Sequence, residues 1–177
     1  VRAADVNADL SQIPGAGRGT QLIDLKVPGW GDLALKYLVL DLNGTVALDG
    51  KIIPGVAERL AALSADLTVH LVTADTRGRA AEIGEGLGVH LLRIRPDGEA
   101  GQKRALVERL GAEQVAAIGN GANDAGMLTA AALGIAVLGP EGLATVALRA
   151  ADVVVIRIED ALDLLLHPQR LVATLRR

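Results

Sequence analysis

The chain has 177 residues, half of them apolar, and a formal net charge of −3. That length suits one domain, or two only if the second is very small. A mild charge, dispersed Lys and Arg and almost no aromatic residues argue against nucleic acid as a ligand. Cysteine is absent, so disulfides and thiolate chemistry are excluded and a cytoplasmic setting is expected. No apolar run approaches the roughly 18 residues that cross a bilayer. The first residues carry Asp5, Asn7 and Asp9 rather than the basic and apolar parts of a signal peptide, so no membrane association is expected.

Residues 1–19 contain Pro14, Gly15, Gly17 and Gly19 without a steady period and read as a flexible arm. Residues 20–36 read as an edge ribbon: 21–27 alternate weakly, Pro28-Gly29 turns, and Leu33-Ala34-Leu35 leads onward. From 37 to 177 the pattern alternates strand with helix. Apolar runs at 37–41, 67–72, 89–94, 115–118, 135–138 and 153–156 are short and continuous, as strands covered on both faces should be. Helical stretches fall at 55–63, 76–86, 101–110, 124–132, 142–150 and 159–177, the last broken at Pro168. The fold class predicted is α/β: a Rossmann-like three-layer sandwich around a mostly parallel central sheet. The intervals between its polar stations are too short for an inserted lid, so an open mouth without a cap domain is expected. His70, His90 and His167 are far apart, and the first two read as core or edge packing.

Four polar stations stand at or near strand ends. Asp41 is followed by Leu42-Asn43-Gly44-Thr45. A carboxylate at the carboxyl end of a strand can attack phosphorus, bind a divalent cation or simply cap a turn. Gly44 relaxes the backbone, and Thr45 can offer its hydroxyl and N–H to an anion. Thr73, followed by Ala74-Asp75-Thr76, can hold phosphoryl oxygens through its hydroxyl and the loop amides, or can belong to a helix cap. Lys103 falls in the first turn of the helix expected at 101–110, where the dipole slightly disfavours a cation. That placement makes sense if its ammonium meets a phosphate or Asp41; a surface lysine is the plain alternative. In Gly119-Asn120-Gly121-Ala122-Asn123-Asp124, Asn120 and Asp124 can supply oxygen ligands to a metal and Asn123 can orient water or phosphate. The plain alternative there is an Asn/Gly turn with an Asp helix cap.

Taken together and in this order, these motifs resemble those of the haloacid dehalogenase superfamily, in particular its soluble, lidless branch related to the phosphorylation domain of P-type ATPases. The likeness spans about residues 37–156 and includes Met127-Leu128 and Gly134-Ile135-Ala136-Val137. By that resemblance Asp41 is the nucleophile, and Thr73 and Lys103 bind and neutralise the phosphoryl oxygens. It likewise implies that Mg²⁺ is held by Asp41, the main-chain carbonyl of Asn43, and the positions of Asn120 and Asp124. It places the Asp41 strand at the centre of the sheet. Lacking the ATPase nucleotide-binding insertion and membrane helices, the sequence is not expected to pump ions.

Two residues depart from the pattern. Phosphatases of the superfamily usually carry an acid/base aspartate where Asn43 stands, and an amide cannot exchange a proton near neutral pH. Asn120 occupies a position that is usually acidic, so weaker Mg²⁺ binding is expected. The function expected is a Mg²⁺-dependent phosphatase of a small phosphorylated metabolite, slow or selective for good leaving groups. The alternatives are a phosphoacceptor module with a long-lived phosphoaspartate, and a catalytically silent interaction protein. A homo-oligomer that covers the open site is a further expectation. The arm before Gln21 and the leucines at 162, 164, 165, 166 and 171 are candidate contacts, unless those leucines simply dock on the sheet.

Overall fold

The computed structural model describes residues 22–74 and 79–177; the arm expected at 1–19, and Asp75 and Thr76 of the second station, lie outside the described residues. The chain starts with β1 (Ile23–Val27) and β2 (Gly31–Leu35), an antiparallel ribbon. It continues through β3 (Tyr37–Asp41), β4 (Ala47–Leu48), β5 (Lys51–Ile52), α1 (Val56–Leu63) and β6 (Thr68–Thr73). Then come α2 (Arg79–Leu87), β7 (His90–Arg93), α3 (Glu99–Leu110), β8 (Val115–Gly119), α4 (Ala125–Ala130) and β9 (Leu133–Val137). The described chain closes with α5 (Thr145–Ala150), β10 (Val153–Val155), α6 (Ile158–Leu166) and α7 (Gln169–Leu175).

Six strands pair in the order β10-β9-β8-β3-β6-β7, every pair parallel. The fold is thus the α/β sandwich implied by the alternating pattern, with the Asp41 strand inside the sheet. Leu38, Val39 and Leu40 of β3 have no exposed surface, because helices cover both faces. One face packs Leu38, Leu40 and Leu71 against α1, α2, α6 and α7; the other packs Val39, Val72 and Ala117 against α3, α4 and α5. The inward residues of the β1–β2 ribbon, among them Leu25 and Leu35, extend the first of these layers. Leu162, Leu165 and Leu171 are buried in it and Leu164 and Leu166 pack against it, so the leucine-rich end docks on the sheet.

Three local differences from the sequence reading have physical causes. Strands β4 and β5 form a small hairpin whose turn, Asp49-Gly50, has φ of 52° and 73°. Both central residues are left-handed, as a type I′ turn requires, and the Asp-Gly pair is the sequence signature of that turn. Helix α3 begins at Glu99, after Gly98 in a left-handed conformation, so Lys103 lies beyond the first turn and its dipole cost is smaller than expected. Helix α5 begins only at Thr145, because the preceding residues are drawn out and the Ala144 N–H donates to the Asn120 carbonyl at 2.9 Å.

His70 lies fully inside, facing His90 across the β6–β7 pair, and neither of its ring nitrogens has a hydrogen-bond partner among the described residues. Burial, then the neighbouring His90, lowers its pKa from 6.5 to about 4. Between those two values the unfolded chain binds a proton that the folded chain refuses, so stability falls as pH drops through that window. The loss amounts to roughly 3 kcal/mol when complete. Urea unfolding of His70→Leu from pH 7 to 4 is expected to show a flatter acid decline and undiminished stability at pH 7. An unchanged slope would contradict this origin.

Candidate active site

Parallel pairing brings the strand ends to one edge. Leu40 stands opposite Ile118 and Asp41 opposite Val72, so Asp41, Thr73 and the loop after Gly119 emerge together. The turn after Asp41 closes on itself: the Leu42 carbonyl accepts from the N–H groups of Val46 and Ala47, and the Gly44 N–H donates to the Ala47 carbonyl at 2.8 Å. Gly44 has a φ of 76°, which an L side chain rarely adopts.

Lys103 is the centre of the site. It is 1% exposed, and its Nζ donates to Asp41 Oδ1 at 2.5 Å and to Asp124 Oδ1 at 2.7 Å. Gln102, next to it, fixes the approach to α3: its Oε1 accepts the Arg95 N–H, and its Nε2 donates to the carbonyls of Arg95 and Asp97. Burial alone would pull the lysine pKa down, but the charges of Asp41 and Asp124 reverse this and raise it. The ammonium therefore stays charged. Asp41 is pushed up to about 7, first by burial and then by Asp124, with Lys103 and the Leu42 amide opposing. Among the described residues, two buried carboxylates share one buried cation.

The fourth station folds around Asp124, which is fully buried. Its Oδ2 accepts the N–H groups of Asn120 and Gly121 at 3.0 and 2.8 Å, while its other oxygen holds Lys103. A Cβ at Gly119 would lie 2.5 Å from this carboxylate, so glycine there lets the acid fold back on its own loop. Both oxygens of Asp124, expected among metal ligands, are thus engaged by protein donors. Asn120 is also anchored: its Oδ1 accepts from the Thr45 hydroxyl at 3.0 Å, and its Nδ2 donates to the Gly142 carbonyl. Thr45, expected to face an anion, spends its hydroxyl on Asn120. The Asn123 amide donates to Glu99 Oε2 at 2.6 Å.

These strand ends border a polar cleft of about 1070 Å³. Asp41, Asn43, Thr73, Ala74, Asn120 and Asn123 line it, whereas Gly44 and Thr45 form the wall of a separate apolar hollow of about 690 Å³. Asn43 is exposed, and Thr73 is 2% exposed.

Residues 6–132 match the family model described as haloacid dehalogenase-like hydrolase. The chain belongs to that family of hydrolases. A probable cation-transporting ATPase G of Mycobacterium tuberculosis is 32% identical over 177 aligned positions, which cover 86% of this chain. The hydrolase spans only 22% of that relative's length. An uncharacterised protein of Methanocaldococcus jannaschii is 50% identical over 64 residues, 36% of this chain and 69% of its own. Among solved structures, the fold is similar to that of the cobalt-bound deoxy-D-mannose-octulosonate 8-phosphate phosphatase of Haemophilus influenzae. That likeness has a TM-score of 0.64 at 18% identity and covers 77% of this chain and 90% of the other. The corresponding phosphatase of Moraxella catarrhalis, in complex with a magnesium ion, a phosphate ion and a KDO molecule, gives 0.61 at 20% identity over 80% and 94%. At such identities the likeness is one of fold. No helix among the described residues is long and apolar enough to cross a membrane.

The oxygen donors of the hydrolase suit a hard divalent cation. Asp41, Asn43 and Asn120, each carrying oxygen donors, line the cleft together. Among the described residues, no three His, Cys, Asp or Glu side chains are gathered closely enough to hold a metal by themselves, so amide and main-chain oxygens would have to take part.

Glu99, Asp49 and Glu141 also line the cleft, and the sequence reading missed all three. The signals were present. Glu99 is the acid in the first turn of α3, Asp49 belongs to the Asp-Gly turn, and Glu141 follows the end of β9, in the same kind of position as the other stations.

Proposed function

We propose that this hydrolase is a Mg²⁺-dependent phosphatase that works through an aspartyl phosphate on Asp41. One observation carries the reading: Asp41 borders the polar cleft while Lys103, buried and locked by Asp124, holds one of its oxygens. A carboxylate oxygen of Asp41 attacks the phosphorus of a small phosphorylated metabolite, the P–O bond to the leaving group breaks, and water later releases phosphate from the carboxylate. Lys103 neutralises charge on the phosphoryl group, and Thr73, Ala74 and Asn123 face its oxygens from the cleft wall. Gly44 and Thr45 shape the loop beneath it, Thr45 acting through Asn120. Asp41, Asn43 and Asn120 would hold Mg²⁺, with Asp124 acting through Lys103 and the loop amides. Bound Mg²⁺ supplies positive charge to the transferring group.

Asn43 stands at the cleft without a proton to give. Alkyl phosphates, whose leaving groups need protonation, are the substrates that suffer most. Asn43→Asp is expected to raise alkyl phosphate hydrolysis by about 10²-fold and aryl phosphate hydrolysis far less. A panel of phosphomonoesters assayed with Mg²⁺ on both proteins tests this, and equal gains would count against it. The same residue favours a second reading, a long-lived phosphoaspartate with a regulatory output. Loading with acetyl phosphate and timing phosphate loss separates the two, since rapid loss excludes the regulatory version.

An open cleft leaves room for a cover supplied by a second copy of the chain. Exposed Leu138 and Ile156, 46% and 70% accessible, line the apolar hollow beside Gly44 and Thr45, which supports such a contact next to the site.

A further inference from the structure

We infer that Glu141 supplies the acidic charge toward the divalent cation that Asn120 lacks. The inference rests on the phosphatase reading above and concerns how its metal is held. Glu141 lies in the turn Gly139-Pro140-Glu141-Gly142 that leaves β9, on the same sheet edge as Asp41 and Asn120. This turn is tied to the fourth station, because the Gly142 carbonyl accepts from Asn120 Nδ2 and the Ala144 N–H donates to the Asn120 carbonyl. It also abuts the first: a Cβ at Gly139 would sit 3.2 Å from the Gly44 carbonyl oxygen.

The carboxylate of Glu141 occupies the space that Gly44 leaves open. A Cβ at Gly44 would lie 2.6 Å from Glu141 Oε2 and 2.8 Å from Asn120 Nδ2, so the acid and the amide meet over that glycine. Glu141 borders the cleft together with Asp41, Asn43 and Asn120. It is exposed, and no hydrogen bond or ion pair with any described residue restrains it. Asp41, Asn120 and Asp124 all have side-chain partners among the described residues, whereas this acid has none.

Charge gives the unpartnered acid a purpose. With an amide at 120 and both oxygens of Asp124 engaged, the fourth station offers the cation no spare carboxylate oxygen, and Glu141 is the cleft-lining acid that sits beside Asn120 over Gly44. Mg²⁺ is held through one or two carboxylates and keeps several waters. A glutamate at the rim, reaching the ion through a bound water or by turning its flexible side chain, restores the second negative charge without occupying position 120.

Calorimetric titration with Mg²⁺ alone, without substrate, tests the assignment. Glu141→Gln is expected to weaken Mg²⁺ binding by about tenfold or more, and adding Asn120→Asp to that variant is expected to recover most of the loss. Binding by Glu141→Gln equal to that of the wild type would overturn the assignment, as would a loss that Asn120→Asp leaves unrepaired. The Asp41→Ala protein separates this failure from that of the broader reading. If Mg²⁺ binding disappears in Asp41→Ala but persists in Glu141→Gln, only the role of Glu141 falls. If the wild type binds no Mg²⁺, the metal-dependent phosphatase falls and takes this inference with it.

Discussion

Asp41→Asn is expected to lose aryl phosphate hydrolysis by about 10³-fold or more while becoming no less stable. On the proposed mechanism the lost activity follows from the nucleophile, because an amide cannot carry the phosphoryl group as an acyl phosphate. The retained stability follows from the charge count. Among the described residues, Lys103 is the cation paired with the buried carboxylates of Asp41 and Asp124, and burial with the charge of Asp124 pushes Asp41 up to about 7. Neutralising residue 41 removes the excess and leaves Lys103 paired with Asp124. Each kcal/mol gained would raise Tm by roughly 2–4 °C in a chain of this size. Assay and calorimetry on one preparation separate the two effects. Full Mg²⁺-dependent activity in the variant would remove Asp41 from its role, and a clear drop in Tm would show that the charge excess is not felt.

Lys103→Met reverses that balance. Two buried carboxylates lose their shared cation, and removing one partner of a buried ion pair costs about 3–5 kcal/mol. The corresponding fall in Tm is roughly 6–20 °C. Activity is expected to fall as well, since in the proposed mechanism the same ammonium neutralises the phosphoryl group. Adding Asp124→Asn to Lys103→Met is expected to recover part of the stability and none of the activity. Recovery of stability alone marks the electrostatic origin of the loss. A single variant that unfolds like the wild type would show that water, rather than Lys103, compensates these acids.

The sheet was legible because its strands are short apolar runs and their spacing leaves one helix between neighbours. Residues 37–41 were read with the same bounds that β3 shows. The hairpin at Ala47–Leu48 and Lys51–Ile52 was missed despite its Asp-Gly turn, since two-residue strands are too short for a periodic signal. The shift of α3 to Glu99 turned on Gly98 adopting a left-handed cap, which residue type permits but does not demand. Glu141 is not readily legible from the sequence because a lone acid in a Gly-Pro-Glu-Gly turn has the composition of an ordinary surface turn.

Sequence by itself determined the alternation of elements, the parallel sheet and the residues delivered to its carboxyl edge, because these depend on hydrophobic period and chain order. It could name Asp41, Lys103, Asn120 and Asp124 but not divide their work. Tertiary packing decided that Lys103 bridges two acids, that Asp124 turns back onto loop amides, that Thr45 serves Asn120, and that Glu141 meets Asn120 over Gly44. Those assignments depend on distances between side chains far apart along the chain. Only burial and competing hydrogen bonds fix such distances, and neither is written in the spacing of residues.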